Sequence, residues 1–170
     1  MIKKEHVAED GTKSYAIYSD SEKHRYVLNR VWDVEGKCML FVGLNPSTAT
    51  EVANDPTVAR VINYAKRENF GSAVVCNIFS YRATLPSDMR LFQDPIGKEN
   101  DKHILEESKK ADIILLGWGN HASFLDRGKS VLKLLQPYRE KLYCLGFTKS
   151  LEPKHPLYLR KDAKFETLNK

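Results

Sequence analysis

The chain has 170 residues, 42% of them hydrophobic and 10% aromatic, which suits one domain with a real core and argues against disorder. It carries 27 Lys+Arg against 22 Asp+Glu, a net charge of +5, and holds no apolar run near the roughly 20 residues that a membrane helix needs. The opening Met1-Ile-Lys-Lys-Glu-His has the charge of a signal peptide but no apolar stretch behind it, so a soluble, cytoplasmic protein is expected, with no membrane partner.

Residues 13–34 read as a hairpin or a pair of β segments: Tyr15, Ile17, Tyr26, Leu28 and Val31 are β-type residues, and Ser19 to Lys23 supply a turn. From Met39 an alternating α/β pattern begins. Met39 to Gly43 is a short apolar run ending in Gly, the mark of a strand buried on both faces. After the loop from Leu44 to Glu51, Asp55-Pro-Thr offers an N-cap and a proline at the first helical position; Val58, Val61, Ile62 and Ala65 then recur at helical spacing. Ser72 to Phe79 is the second apolar strand. A long loop through Pro86 and Pro95 leads to a helix around Gly97 to Lys110. Ala111 to Gly119 is the third strand, Ser123 to Leu135 a helix, and Leu142 to Gly146 the fourth strand. Residues 147–161 read as a loop, and the tail is weakly patterned. Strands alternating with helices predict a three-layer α/β/α fold with a central four-stranded, mostly parallel sheet plus an N-terminal β-hairpin. The expected organisation is one α/β domain over 1–170, with a β extension at 1–36, a core at 37–161 and a tail at 162–170.

Cys38, Cys76 and Cys144 are odd in number, form no C-x-x-C pair and lie in or beside apolar runs. Core thiols are expected, and neither a metal nor a cofactor is implied. The charge is uneven, with 11 Lys+Arg against 4 Asp+Glu in residues 127–170 and 16 against 18 before them. A phosphate-bearing partner and a solvated basic tail both account for that.

Ligands of parallel α/β sheets collect beyond the carboxyl ends of the strands, where four loops fall. Gly43-Leu44-Asn45-Pro46 puts an amide on a tight turn, able to position water or only to stabilise the turn. Asn77 ends an otherwise apolar strand, where a polar group is costly unless paired; it can read a base edge or be satisfied structurally. Phe79 and Tyr81 can stack on a ring or belong to the core. Trp118-Gly-Asn-His121 is compact, with His121 suited to an anion or a helix cap. In Lys154-His155-Pro-Leu157-Tyr158-Leu-Arg160-Lys161, apolar side chains sit between basic ones. That fits either a wedge flanked by phosphate contacts or a loop packed on the sheet.

In this order the loops resemble the uracil-DNA glycosylase superfamily, through Gly43-Leu-Asn-Pro, Val74-Val-Cys-Asn77, Trp118-Gly-Asn-His121 and His155-Pro-Leu-Tyr-Leu. More closely, the chain resembles a bacterial and phage family of unknown function, DUF 1643, through Asn45-Pro-Ser-Thr-Ala, Asp55-Pro-Thr, Asn77-Ile-Phe-Ser-Tyr-Arg-Ala-Thr and Lys154-His-Pro-Leu-Tyr-Leu. The superfamily resemblance implies a glycosylase-like fold and a hydrolase that acts on the N-glycosidic bond of a base flipped from DNA, modified or mismatched. It implies Asn45 and His155 as catalytic residues, one positioning water and the other stabilising the departing base. It places Gly43, Leu44, Pro46, Asn77, Phe79, Tyr81, Trp118 and His121 around the substrate. Lys154, Leu157, Tyr158, Arg160 and Lys161 would contact DNA, duplex or single-stranded. The chain departs from the pattern in having Asn45 where many members carry Asp, and in lacking an aromatic soon after the first loop. Asp55 stands in that region as a helix cap or an acidic site residue. Free nucleosides or nucleotides as ligands, and a non-catalytic nucleic-acid-binding protein, are the competing expectations.

Overall fold

A computed structural model describes residues 1–168. Eight strands form one sheet: β1 (Ile2–Val7), β2 (Lys13–Tyr18), β3 (Arg25–Val31), β4 (Cys38–Gly43), β5 (Ser72–Asn77), β6 (Ile113–Leu116), β7 (Leu142–Cys144) and β8 (Glu166–Thr167), in the spatial order β1-β2-β3-β5-β4-β6-β7-β8. Four of its seven pairings are antiparallel. The other three, β5–β4, β4–β6 and β6–β7, are parallel. Among the described residues four α-helices accompany it: α1 (Pro56–Arg67), α2 (Pro86–Leu91), α3 (Asn100–Lys110) and α4 (Arg127–Leu134).

The expected four-stranded, mostly parallel sheet of a three-layer fold is therefore corrected to an eight-stranded, mostly antiparallel one. The reason lies in β3. Six of its seven residues are buried, so it needs neighbours on both edges, and it pairs with β2 on one side and β5 on the other. The hairpin thus extends the main sheet rather than standing beside it. β1 and the two-residue β8 close the edges. Both lie in segments without an apolar alternation, and β8 is exposed at both positions.

Alternation sorts the side chains of the central strands. Met39, Phe41, Ala73 and Val75 face α1, which buries Val58, Val61, Tyr64 and Ala65 against them. Leu40, Val42, Val74, Cys76, Ile114 and Leu116 face the other way, toward Ile104 of α3 and Val131 of α4. Helix α1 starts where expected: Asp55 Oδ1 accepts from Val58 N at 2.9 Å, Pro56 is at the first turn, and Lys66 and Arg67 lie at the negative end of the dipole. The helix expected over Ser123 to Leu135 is shorter. Leu125 and Asp126 take left-handed φ of 55° and 51°, which breaks a 3₁₀ stretch at Asn120–Asp126 from α4. Helix α2 falls within the segment expected to be a loop, with Pro86 at its start.

Candidate functional site

Strands β4 and β5 end together, Gly43 opposite Asn77 in register. Ile78 N donates to Gly43 O and Phe79 N to Leu44 O, both at 2.9 Å, so the two strand ends leave the sheet as one unit. A side chain at position 43 would place its Cβ 2.7 Å from the Phe41 ring and 2.9 Å from Asn77 Oδ1; only glycine lets the amide lie there. Gly117, just past β6, is likewise closed by the Phe41 ring at 2.7 Å. Phe41 is thereby held as the floor of a cleft on the α1 side of the sheet.

Thirteen residues line that cleft, among them Arg25, Phe41, Gly43, Leu44, Asn45, Pro46, Asp55, Asn77 and His155. Its volume is about 30 Å³, enough for one or two water molecules. Asn45 Nδ2 donates to Ala83 O at 2.8 Å and Pro46 O at 3.1 Å, so the amine side of this amide is spent on carbonyls and Oδ1 is the acceptor left for a ligand or water. Asp55 has two tasks at once. Besides capping α1 through Oδ1, it accepts from Ala49 N through Oδ2 at 3.2 Å, and it still faces the cleft.

Among the described residues, Asn77 is one of three buried side chains with an unpartnered polar atom, with Arg25 and Asn100; its Nδ2 has no hydrogen-bond partner. Its main chain is nevertheless clamped from the far face of the sheet, where Asn100 Nδ2 donates to the carbonyls of Asn77 and Ile78 at 2.8 and 3.2 Å. Arg127 Nε adds a 2.7 Å bond to Ile78 O while its Nη2 pairs with Asp101. The backbone is fixed and the amide tip is left unsatisfied, at a cost of about 1–3 kcal/mol.

His155 enters from the segment after β7. Its Nδ1 accepts from Leu157 N at 3.3 Å, which places the ring proton on Nε2. Burial lowers its pKa and the nearby Asp55 charge opposes that, so a neutral imidazole with an Nε2–H donor is the form at neutral pH. Burial also lowers the pKa of His24 and His103. All three lie below their ordinary 6.5 in the folded chain. Below that pH these three sites bind more protons in the unfolded chain. Their contribution to stability, full above 6.5, is lost as pH falls through the folded values, while Glu107, whose pKa burial raises, works the other way. The urea midpoint is expected to be lower at pH 5 than at pH 7.5; an equal or higher midpoint at pH 5 would contradict this assignment.

Of the residues singled out from sequence, Gly43, Leu44, Asn45, Pro46, Asn77 and His155 meet in this cleft. Phe79 does not: it is buried on the opposite face, its ring 5.8 Å from that of Phe124. Tyr81 stacks on Phe92 at 3.8 Å and lines a separate open hollow of about 420 Å³. Trp118 is buried with its Nε1–H donating to Glu152 Oε2 at 2.7 Å, a structural bond. His121 is exposed on the 3₁₀ stretch. Lys154 is half-buried, whereas Leu157, Tyr158, Arg160 and Lys161 are exposed, Tyr158 to 87%. Arg160 Nε pairs with Asp162 at 3.1 Å. Arg25 and Phe41 were not singled out. The one signal for Phe41 was its position two residues before the motif glycine, on the same strand face. Among the described residues no three His, Cys, Asp or Glu side chains come together as a metal site, and no helix is long and apolar enough to cross a membrane.

These features define a protein built on a mostly antiparallel eight-stranded sheet, with a small polar cleft at the carboxyl ends of two parallel strands. The chain belongs to the family described as protein of unknown function DUF1643, whose model matches residues 25–157, a span that contains every residue lining the cleft. No curated protein and no solved structure matches it, so the resemblance to the uracil-DNA glycosylase superfamily gains no support from known proteins.

Proposed function

We propose that the cleft receives a nucleobase and that the chain acts as an N-glycosidase on a base taken out of DNA. The observation that carries this reading is the unpartnered Nδ2 of Asn77, a buried donor at a strand end, in one cleft with Asn45, Asp55 and His155. A base edge bearing a carbonyl satisfies that donor, and the Phe41 ring offers the base an apolar surface. In the reaction, a water held on Asn45 Oδ1 attacks the sugar carbon of the glycosidic bond. The bond's electron pair leaves with the base, whose oxygen takes a hydrogen bond from His155 Nε2–H, and the water proton ends on the departed base. Asp55 supplies the carboxylate that Asn45 lacks and favours the positive charge that develops on the sugar.

A cleft of this size admits water but no base, so a wall has to open. The wall proposed to open is the segment after His155, which side chains rather than a strand ladder hold: Arg60 donates to Leu159 O, Tyr64 to Arg160 O and Arg67 to Lys161 O. Its exposed Leu157 and Tyr158 suit a wedge into the gap that a flipped base leaves. Free nucleotides are the second reading, since a cleft lined by Asn45, Asn77 and His155 serves a small ligand as well as a flipped base.

The test is to incubate the purified protein with duplex and single-stranded oligonucleotides carrying uracil, mismatched thymine or modified pyrimidines, and to detect released base by mass spectrometry. Release is expected for the natural chain, reduced about 100-fold or more in Asn45→Ala. Salt-sensitive binding without release would leave a nucleic-acid-binding protein, and salt-insensitive binding of mononucleotides would favour the second reading.

A further inference from the structure

Three arginines are buried in this chain, and they differ in how they are satisfied. Arg30 spends all three guanidinium nitrogens, on Asn54 Oδ1 and on the carbonyls of Asn29, Thr50 and Ala53. Arg127 has a carbonyl and the carboxylate of Asp101. The side chain of Arg25, a residue 2% exposed, has a single hydrogen bond, from Nη1 to Ala49 O at 3.0 Å. Its Nε has none, and the ion pairs of the described residues do not include it.

An unpaired buried guanidinium is costly, because the field of water is lost and no carboxylate replaces it. Burial lowers its pKa to about 10, which leaves it charged at neutral pH. The Asp55 charge is the main one that opposes this, yet its oxygens accept from the N–H groups of Ala49 and Val58 and neither bonds to Arg25. Arg25 and Asp55 grip Ala49 from its two sides, by the carbonyl and by the N–H, instead of closing on each other. Arg25 lines the same cleft as Asn77. Two buried donors without partners therefore share one small cleft, Arg25 Nε and Asn77 Nδ2.

We propose that Arg25 is an oxyanion-recognition residue, so that the ligand of this cleft presents an anionic carboxylate or phosphate oxygen to Arg25 beside the edge that Asn77 reads. This rests on the reading of the cleft as a ligand site and adds the chemical class of the ligand. A guanidinium aimed at a carboxylate or phosphate makes short, charge-assisted bonds that a neutral carbonyl does not match.

The test measures binding to the full-length chain by calorimetry, with uracil as the neutral probe, orotate as a pyrimidine carboxylate, and inorganic phosphate and thymidine 5′-monophosphate as phosphate sources. Orotate or a phosphate probe is expected to bind about tenfold or more tightly than uracil. Arg25→Gln is expected to erase that difference, and Arg25→Lys, which keeps charge but not the planar fork, to retain part of it. Preference for orotate alone assigns the oxyanion to the base, and preference for both phosphates to the nucleotide backbone; each outcome supports the proposal. Equal binding of uracil and every anion by the natural chain overturns it, whether or not the variants fold, and so does a preference that survives in a folded Arg25→Gln. Uracil binding without anion preference keeps the nucleobase reading and removes this one. Phosphate binding that depends on Arg25, with no binding of either pyrimidine, does the reverse.

Discussion

Asn77→Leu is expected to raise the unfolding free energy by about 1–3 kcal/mol and, in the same protein, to weaken nucleobase binding by about 10- to 100-fold. The two effects have one cause. In the free chain Nδ2 of Asn77 is buried without a partner, so it carries a desolvation penalty with nothing in return. Its surroundings include Phe41, the bare backbone of Gly43 and the apolar end of β5, with Arg25, Asn45, Asp55 and His155 lining the rest of the cleft. Leucine has the branching of asparagine without its polar tip, and replacing an unsatisfied group by an apolar one of similar shape removes the penalty. The ligand meanwhile loses its donor. Urea unfolding and base binding, measured on one preparation, check both halves. If Asn77 served only to stabilise its own strand end, the substitution would lower the urea midpoint instead, and the case for a ligand at this position would fall with it.

The convergence of Asn45, Asn77 and His155 was legible because each follows an apolar run that had to be a strand, and parallel strands bring their carboxyl ends to one edge of a sheet. Which neighbours joined them was not legible. Phe79 has the parity of Asn77, but the strand stops at Asn77, and the chain then turns Phe79 into the opposite core. Trp118 follows Gly117, whose missing side chain faces Phe41; the next residue points to the other face and is buried there. Motif order contains neither fact. Arg25 was hidden for a different reason. Next to the hairpin turn it reads as the charged end of an exposed ribbon. It enters the cleft only because β3 pairs with β5 through Leu28–Val75, Asn29–Val74, Arg30–Ala73 and Val31–Ser72, a choice of partner that no local pattern records. The same pairing turned the expected parallel sheet into a mostly antiparallel one. The error in the fold and the missing residue in the cleft have a common origin.

That junction is where the largest loss of stability is expected. Gly71 closes the turn after α1 and leads into β5, and it packs backbone to backbone against Gly36, in the connection from β3 to β4. A Cβ on Gly71 would fall 2.2 Å from Asp33 O and 2.7 Å from Gly36 Cα; one on Gly36 would fall 2.6 Å from Gly71 Cα. Neither obstacle is a side chain that can swing aside. The contact is also tied by hydrogen bonds: Trp32 N and Asp33 N both donate to Gly71 O, at 3.1 and 3.0 Å, and Gly71 N donates to Lys37 O at 2.8 Å. Relief of the clash has to pull the β3–β4 connection away from the start of β5 and strain those bonds. Gly71→Ala is therefore expected to cost about 3 kcal/mol or more, which for a domain of this size lowers the melting temperature by roughly 6–12 °C. Gly11→Ala is the control. Gly11 has φ of 88° but nothing within 4 Å of an added Cβ, so only the backbone strain of about 1 kcal/mol remains. Thermal unfolding of the two variants separates crowding at the junction from the general cost of replacing a glycine. A Gly71→Ala chain that melts with Gly11→Ala would mean that the two connections are not in contact. Because Arg25 is carried by β3, a chain loosened at Gly71 is also expected to lose its preference for anionic over neutral ligands before it unfolds, as the guanidinium drifts from the end of β5.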